Sequence, residues 1–196
     1  MGEKVRTGIK AVYAGFMIGV GGMIYLSAEN KTVGAVLFSF GLLTIVTQGF
    51  FLYTGKIGFV KKIHELLDML VIVAGNYFGT LLAAWMAKLA QLNISSVQLV
   101  QNKLSRPLPA VFFLSVLCGV MMYLAIDNYR KNKHIALIMF PVVIFILAGF
   151  EHSVANMFYF HLAGEYGIKA FGYLFVMVIG NGVGAKVFGL KPNQGS

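Results

Sequence analysis

Charged residues and cysteine are both scarce in this sequence, and the two shortages limit what the protein can be. Only 12% of the 196 residues are charged, whereas soluble domains average about 25%. With 58% hydrophobic residues and a mean hydropathy of +0.78, the chain is predicted to be an integral membrane protein. Its single cysteine, Cys118, excludes an internal disulfide framework, and we interpret it as a small packing residue.

Patterns that define several other functions are also missing. The sequence contains no Asn-Pro-Ala motif, which argues against a water or glycerol channel. A membrane haem site needs histidines at facing depths, and only His152 lies in the middle of an apolar run. Ser153 follows His152 directly, but neighbouring helical residues point about 100° apart, so they make a poor nucleophile–base pair. We therefore predict no enzyme, no cofactor and no metal site.

Six apolar runs are long enough to cross the hydrocarbon core of a bilayer, which takes about 20 residues. Little sequence lies between these runs, so residues 1–196 are predicted to form a single transmembrane domain. Six crossings place both termini on the same side of the membrane. The runs are Ile9–Ser27, Thr32–Tyr53, Leu66–Leu92, Leu108–Ile126, Ile135–His161 and Ala170–Phe188.

The cations are distributed unequally between the two sides of this predicted topology. The richer side is expected to be cytoplasmic, because cytoplasmic loops carry an excess of Lys and Arg. This bias and anionic lipid explain the net charge of +9, so no nucleic acid partner is predicted. The richer side carries Lys4, Arg6, Lys10, Lys56, Lys61, Lys62, Arg130, Lys131, Lys133, Lys186 and Lys191. The poorer side carries Lys31, Lys88, Lys103, Arg106 and Lys169.

The chain also repeats itself weakly. Three short motifs recur in the same order and at a nearly constant offset, pairing residues 21–26 with 119–124, 49–50 with 149–150, and 75–79 with 180–184. Three crossings in each half mean that the second half must cross with opposite polarity. Such an inverted repeat usually sets a binding site near the midplane, where discontinuous helices meet.

The fifth apolar run is interrupted by Glu151 and His152. Charged groups at the centre of a helix in lipid cost about 2.5–3.5 kcal/mol each on insertion scales, so membrane proteins keep them mainly where they face a pathway or a protein interior. Gly149 and Gly164 flank the stretch, which predicts a broken helix that lines a cavity. This polar break favours transport over membrane anchoring.

Leu52-Tyr53-Thr54-Gly55 occupies the position in the first half that Glu151-His152-Ser153 occupies in the second. Spans two and five are therefore both predicted to break, with their broken ends facing each other. This symmetry predicts that the Thr54 hydroxyl and the His152 imidazole approach one another at mid-depth.

The segment Gly149–Phe158 closely resembles the fifth-helix signature of the formate/nitrite transporter family, which includes formate, nitrite and hydrosulfide channels. Leu52-Tyr53-Thr54-Gly55 is similar to the family's second-helix loop. Gly75–Gly79 and Ile179–Asn181 resemble its Gly-Asn motifs in helices three and six. The resemblance covers nearly the whole chain and implies an aquaporin-like protomer with six transmembrane helices, a pentamer, and one substrate pore through each protomer.

The resemblance also implies which residues line the pore. The family's central histidine maps onto His152, its threonine onto Thr54 and its fourth-helix lysine onto Lys103. Its apolar constrictions map onto Leu52, Met122 and Phe145. Phe145 lies two helical turns before His152, so we expect it to stack on the same face.

Two further polar residues near the pore are interpreted as structural. Glu151 is expected to accept backbone N–H bonds at the break or to bridge protomers, and Asn156 to cap the broken helix. Asn76 and Asn181 are expected to form hydrogen bonds between spans. His64, His134 and His161 are expected to be solvated.

These residues suggest how a small anion of a weak acid would cross. Lys103 at the outer mouth would raise the local anion concentration. His152, with a reference pKa near 6.5, would donate a hydrogen bond or a proton at mid-pore. The Thr54 hydroxyl would hold that imidazole or the substrate.

The chain departs from the family pattern at two positions, and several questions stay open. Phe51 stands where an acidic residue is common, and Gly119 where an asparagine is frequent. The sequence does not choose between formate, nitrite and hydrosulfide, or between a channel and a proton-coupled symporter. Lys103 also fits an interfacial lysine whose ammonium reaches water. A membrane subunit of a redox complex is a further alternative.

Overall fold

The computed structural model describes residues 2–63 and 65–190, so the predictions for His64 and Lys191 lie outside the described residues. Within those ranges the chain forms nine α-helices and one 3₁₀ turn and no strand, which confirms the predicted all-α fold. The helices are α1 (Glu3–Ser27), α2 (Lys31–Thr47), α3 (Tyr53–Lys56), α4 (Glu65–Leu89), α5 (Val97–Leu104), α6 (Leu108–Asn132), α7 (Ala136–Leu147), α8 (Ser153–Ala163) and α9 (Ile168–Gly189). The 3₁₀ turn is Ile57–Phe59, directly after α3.

The long helices agree with four of the six predicted spans. In the described part of the chain, α1, α4, α6 and α9 are long and apolar enough to cross a membrane. The apolar helices α2 and α7 are shorter, because each ends at an interruption within the predicted spans two and five. After the interruption the chain continues as α3 in the first half and as α8 in the second. The predicted breaks are therefore present, while the opposed polarity of the two halves stays a prediction.

Glycine allows the long helices to approach closely in matching pairs. α1 packs on α4, and α6 packs on α9. Gly15 of α1 lies directly against the backbone of Asn76, and Gly119 of α6 lies against that of Asn181. A methyl group at either glycine would collide with the carbonyl oxygen of the facing asparagine, so the close approach requires glycine there. Gly15 and Gly19 of α1 thus mark close packing on α4, where they face Asn76 and Ala83.

Each interruption turns on a glycine in the left-handed region. Gly49 has φ +66° and Gly149 has φ +71°, a conformation that residues with a Cβ rarely adopt. The next residue folds back onto the preceding helix in both halves. The Phe50 N–H donates to the Ile45 carbonyl at 2.9 Å, and the Phe150 N–H makes the equivalent bond.

A buried asparagine satisfies the backbone groups that each break releases. The Asn76 side chain accepts the Tyr53 N–H at 2.9 Å and donates to the carbonyls of Ala11 and Phe51 at 2.8 and 2.9 Å. Both Asn76 and Asn181 are fully buried. A helix break in an apolar environment requires such partners, because unpaired backbone groups are costly away from water.

Asn181 makes the same three bonds in the second half. Its side chain accepts the Ser153 N–H and donates to the carbonyls of Ser115 and Glu151, each at 2.8 Å. The equivalence explains why the Gly-Asn motifs recur in the sequence at matching positions. Asn76 and Asn181 thus join neighbouring helices, as predicted.

We expect Asn181→Leu to destabilise the protein strongly. Leucine has a similar volume but leaves the Ser153 N–H and the Glu151 carbonyl unpaired, at about 1–3 kcal/mol for each group, and it also removes the bond to the Ser115 carbonyl of α6. Thermal unfolding of the detergent-solubilised protein, followed by loss of helical circular dichroism, measures the effect.

The matched control is Asn93→Leu, because Asn93 is exposed between α4 and α5. We expect the midpoint of that variant to stay close to that of the parent protein. Equal midpoints for the two variants would contradict the role assigned to Asn181.

Candidate transport site

The two helix breaks meet at a buried pair of side chains. Thr54, in α3, and His152, at the start of α8, lie 98 positions apart in sequence, with Thr54 Oγ1 and His152 Nε2 separated by 2.9 Å. Both side chains are buried. The contact predicted from the symmetry of the two halves is therefore present.

The hydrogen bonds of His152 define its neutral tautomer. Nδ1 accepts the Ala155 N–H at 3.1 Å, which makes His152 the N-cap of α8. A neutral imidazole has one donor and one acceptor nitrogen, so with Nδ1 accepting, the proton resides on Nε2. The Nε2–H then donates to Thr54 Oγ1, and the Thr54 hydroxyl proton is left to donate elsewhere. A second proton on the ring would have to displace the cap of α8.

Phe145 stacks on the His152 ring, as expected, although for a different reason. The two rings are nearly parallel, at 19°, with centroids 5.4 Å apart. No continuous helix connects them, because α7 ends at Leu147 and the break follows. The contact arises because the chain folds back after Gly149. Phe38 from α2 meets Phe145 edge-on at 6.3 Å.

A cavity of about 210 Å³ reaches His152 from one side. We call it the Lys103 vestibule. Its wall combines amide, hydroxyl and cationic groups with aromatic and aliphatic side chains. The lining residues are Tyr25, Phe38, Leu99, Asn102, Lys103, Arg106, Phe145, Ile146, Gly149, Phe150, His152, Ala155, Asn156 and Tyr159.

The carboxylate of Glu151 organises the charges beside this vestibule. It accepts from Lys103 Nζ at 2.5 Å, from Arg106 at 2.9 Å and from Asn156 Nδ2 at 2.9 Å. The Glu151 side chain is fully buried, whereas those of Lys103 and Arg106 are 12% and 41% exposed. Two cations thus share one buried carboxylate, which leaves the cluster with one net positive charge.

This cluster corrects the roles expected for Glu151 and Asn156. The Glu151 carboxylate accepts from three side chains rather than from backbone N–H groups, and the alternative that it bridges protomers stays a prediction. Asn156 does not cap α8, because His152 occupies the N-cap position. The Asn156 amide instead joins the Glu151 carboxylate to the His152 carbonyl, at 2.9 and 3.1 Å. Lys103 lies on the separate short helix α5, before α6 begins.

A second cavity, of about 280 Å³, lies beside the first break. We call it the Arg130 vestibule. Leu52 lines this cavity and occupies the position that matches His152 in the other vestibule. The lining residues are Leu42, Ile45, Val46, Gly49, Phe50, Phe51, Leu52, Gly55, Lys56, Ile126, Tyr129, Arg130 and Lys133.

Met122 and Thr54 are buried and line neither vestibule. Their assignment to the pore stays a prediction, whereas the predicted contact of Thr54 with His152 is present. The expectation that His161 is solvated is wrong, because it is 2% exposed and its ring meets that of Tyr77 at a centroid distance of 4.4 Å. His134 is exposed, as expected. Among the described residues, no group of His, Cys, Asp and Glu is arranged to hold a metal.

Sequence reasoning gave no site role to Arg106 or Lys56, although both line a vestibule. One signal for Arg106 was present in the sequence. A carboxylate within an apolar run requires opposite charge nearby, and Arg106 lies three residues after Lys103, within reach of the same partner. Nothing comparable pointed to Lys56, because its position depends on the course of α3 after the break.

The model of the family "Formate/nitrite transporter" matches residues 3–192. The formate channel FocA of Haemophilus influenzae is 28% identical over 149 residues, covering 66% of this chain and 52% of that protein. The formate channel FocB of Escherichia coli is 24% identical over 186 residues, covering 80% of this chain and 66% of that protein. The chain thus spans about half to two thirds of the length of these relatives.

Solved structures share the fold. A pentameric formate channel with formate bound superposes with a TM-score of 0.82 at 20% identity, covering 94% of each chain. An ion channel described as a member of the FNT family superposes with a TM-score of 0.79 at 22% identity, covering 94% of this chain and 86% of the other. The family match and the apolar helices identify a multi-pass membrane protein. The chain belongs to the formate/nitrite transporter family.

Proposed function

We propose that the protein is a membrane channel for small monovalent anions of weak acids, with formate, nitrite and hydrosulfide as the candidate substrates. The observation that carries the proposal is the buried Thr54–His152 pair, which joins two helix breaks between two vestibules. The relatives described as formate channels support the same substrate class.

The Lys103 vestibule is suited to attract an anion. An isolated anion is poorly solvated in an apolar constriction, so it needs positive charge on its approach. Lys103 and Arg106 provide that charge, and the Glu151 carboxylate neutralises part of it. One net positive charge concentrates anions at the mouth without holding them tightly.

Protonation of the anion would follow as the anion loses its hydration shell. Burial favours the neutral form of an acid, so a weak acid becomes easier to form as its anion leaves the vestibule for the level of Phe145 and Leu52. The proton comes from water on the side of entry, where the hydroxide remains, and the acid returns its proton to water when it leaves on the other side. His152 is not the source, because Nδ1 carries no proton while it caps α8 and Nε2–H is the only proton of the neutral ring.

The central pair then acts as a donor of hydrogen bonds. The imidazole orients the Thr54 hydroxyl, whose proton is free to bind an oxygen or sulfur atom of the passing substrate. Of the two roles open to His152, proton donor and hydrogen-bond donor, this geometry favours the hydrogen-bond donor. A proton-coupled symporter would move one proton with each anion, as passage of the neutral acid through a channel also does. Counterflow exchange separates the two modes, because an alternating-access symporter shows it and an open channel does not.

Assembly and orientation extend the proposal. The structural neighbour described as a pentameric formate channel supports a homopentamer in which each protomer contains its own passage. The positive-inside rule supports a location in the cell membrane with both termini in the cytoplasm. The Arg130 vestibule would then open to the cytoplasm and the Lys103 vestibule to the outside.

Stopped-flow uptake by proteoliposomes tests the function directly. Formate, nitrite and hydrosulfide are each applied across a pH series, and empty liposomes supply the background. Uptake above that background that saturates with at least one of the three supports the proposal. Rates equal to the background for all three would overturn it.

We expect His152→Gln and His152→Ala to differ in formate uptake. Glutamine places an N–H donor near the position of Nε2, whereas alanine removes the donor and leaves the Thr54 hydroxyl without its partner. His152→Gln should retain most of the flux and the pH profile of the parent protein. His152→Ala should lose about tenfold or more at every pH, because a lost hydrogen bond to a desolvated polar group costs about 1–3 kcal/mol.

The buried His161, which lies outside both vestibules, supplies the control. His161→Gln should match the parent protein in rate and pH profile. If His152→Gln and His152→Ala both flatten the pH profile to the same extent, His152 titrates during transport and the donor role is wrong.

We expect Lys103→Ala to weaken anion uptake most at low ionic strength. Removal of this cation leaves Glu151 paired with Arg106 and brings the net charge of the cluster to zero. The uptake rate at low substrate should fall about fivefold at 10 mM salt, where the Debye length is roughly 30 Å, and much less at 1 M, where it is roughly 3 Å.

Lys169→Ala is the matched control, because Lys169 is exposed at the start of α9 and is predicted to lie on the same side of the membrane. We expect no salt-dependent loss for this variant. An equal loss for Lys103→Ala at every salt concentration would indicate a packing role instead.

A further inference from the structure

The two vestibules differ in one matched pair of residues. Phe51 in the first break and Glu151 in the second occupy equivalent backbone positions. The Phe51 N–H donates to the Lys10 carbonyl of α1 at 3.2 Å, and the Glu151 N–H donates to the Leu114 carbonyl of α6 at 3.3 Å. The carbonyl of each residue accepts from the asparagine of its own half. A phenyl ring therefore stands where the other half has a carboxylate.

A second exchange accompanies the first. The residue five positions after Glu151 is Asn156, whose amide binds the carboxylate at 2.9 Å. The residue five positions after Phe51 is Lys56, whose ammonium lies 3.8 Å from the centroid of the Phe51 ring. At these two matched positions, the Arg130 vestibule has one positive charge, from Lys56, whereas the Lys103 vestibule has one negative charge, from Glu151.

The remaining cations of this vestibule also lie on aromatic rings. The Arg130 guanidinium lies 4.0 Å from the centroid of Phe59, and the Lys133 ammonium lies 5.6 Å from that of Tyr129. Contact with a ring holds a cation in place but leaves its charge intact. The cations therefore stay available to an anion in the cavity.

No carboxylate lines the cavity to offset these charges. The described lining contains Lys56, Arg130 and Lys133 and no acidic residue. Asp127, one helical turn before Lys131, is bonded to that lysine at 2.8 Å. The rest of the wall is largely aliphatic and aromatic, and low-dielectric walls concentrate the field of the charges that line a cleft.

We propose that the Arg130 vestibule is an anion-loading site that holds one small carboxylate or similarly sized monovalent anion beside Phe51 and Leu52. This proposal rests on the proposed function, because the bound anion is the transported one. The openings of the two vestibules, which we call the Arg130 mouth and the Lys103 mouth, then differ in their affinity for the anion. The Arg130 mouth fills at a lower anion concentration, because at the Lys103 mouth Glu151 offsets one of the two cations.

Formate flux from each side tests this inequality. Inside-out and right-side-out membrane vesicles present one mouth at a time, and initial rates give a half-saturation concentration for each. Phe51→Glu restores a carboxylate at the matched position and Phe51→Gln restores only its size and polarity. We expect Phe51→Glu to raise the half-saturation concentration at the Arg130 mouth at least fivefold over Phe51→Gln at 10 mM salt, with less than a twofold difference at 1 M.

A second variant also lowers the positive charge of the Arg130 vestibule, by two units instead of one, without a new buried carboxylate. Arg130→Gln combined with Lys133→Gln removes two exposed cations, so it should raise the same half-saturation concentration even if Phe51→Glu fails to fold. The Lys103 mouth should change less than twofold in all variants. Equal half-saturation concentrations for Phe51→Glu and Phe51→Gln, or equal shifts at both mouths, would overturn the proposal.

Binding without flux separates this proposal from the proposed function. Formate, compared with the much larger monovalent anion gluconate at equal ionic strength, is titrated against the thermal midpoint of the detergent-solubilised protein, because a ligand of the folded state raises that midpoint. Stabilisation by formate that is weaker in Phe51→Glu than in Phe51→Gln supports the site even if the parent protein transports nothing. If the protein transports formate but formate stabilises the two variants equally, the loading-site proposal is wrong and the proposed channel function still stands.

Discussion

A helix that breaks inside an apolar protein releases backbone N–H and C=O groups for which lipid and aliphatic side chains offer no partners. Asn76 and Asn181 solve this problem in the same way, each accepting one N–H from a break and donating to two carbonyls. The site depends on these amides, because Thr54 and His152 lie within three residues of the backbone groups that the asparagines hold. Gly15 and Gly119 make the arrangement possible by letting the neighbouring helix reach the asparagine backbone.

The charges follow from a similar requirement. Glu151 is fully buried, and a buried carboxylate is stable only with opposite charge and hydrogen bonds around it. Lys103, Arg106 and Asn156 provide both. The first break has Phe51 at the matching position and needs no such compensation, so the cations there are left with aromatic rings as neighbours. One framework thus holds two vestibules of different electrostatic character.

Much of the fold was predictable because its signals are local. Apolar runs of the right length predicted the long helices. Glu151 and His152, flanked by Gly149 and Gly164, predicted the second break, and the match of residues 52–55 to that segment predicted the first. The matched Gly-Asn motifs predicted the equivalence of the two halves and the hydrogen bonds of Asn76 and Asn181. The contact between Thr54 and His152 followed from that equivalence.

Several features of the site depend on directions and distances that no local pattern encodes. Phe145 was expected to reach His152 along a continuous helix, whereas it does so because the chain reverses after Gly149. Asn156 was expected to cap α8, but His152 accepts the Ala155 N–H and takes that position. His161, in the last turn of α8, packs against Tyr77 and does not face solvent.

Composition and spacing were enough to establish a helical membrane protein with two interrupted spans and a polar centre, because hydropathy and glycine conformation act within a few residues. The tertiary arrangement was needed to establish how that centre works. Thr54 and His152 lie 98 positions apart, and the ring's protonated nitrogen is defined by the bonds that each of its two nitrogens makes. Likewise, the net charge of each vestibule depends on which side chains converge there, which is a property of packed helices rather than of any segment alone.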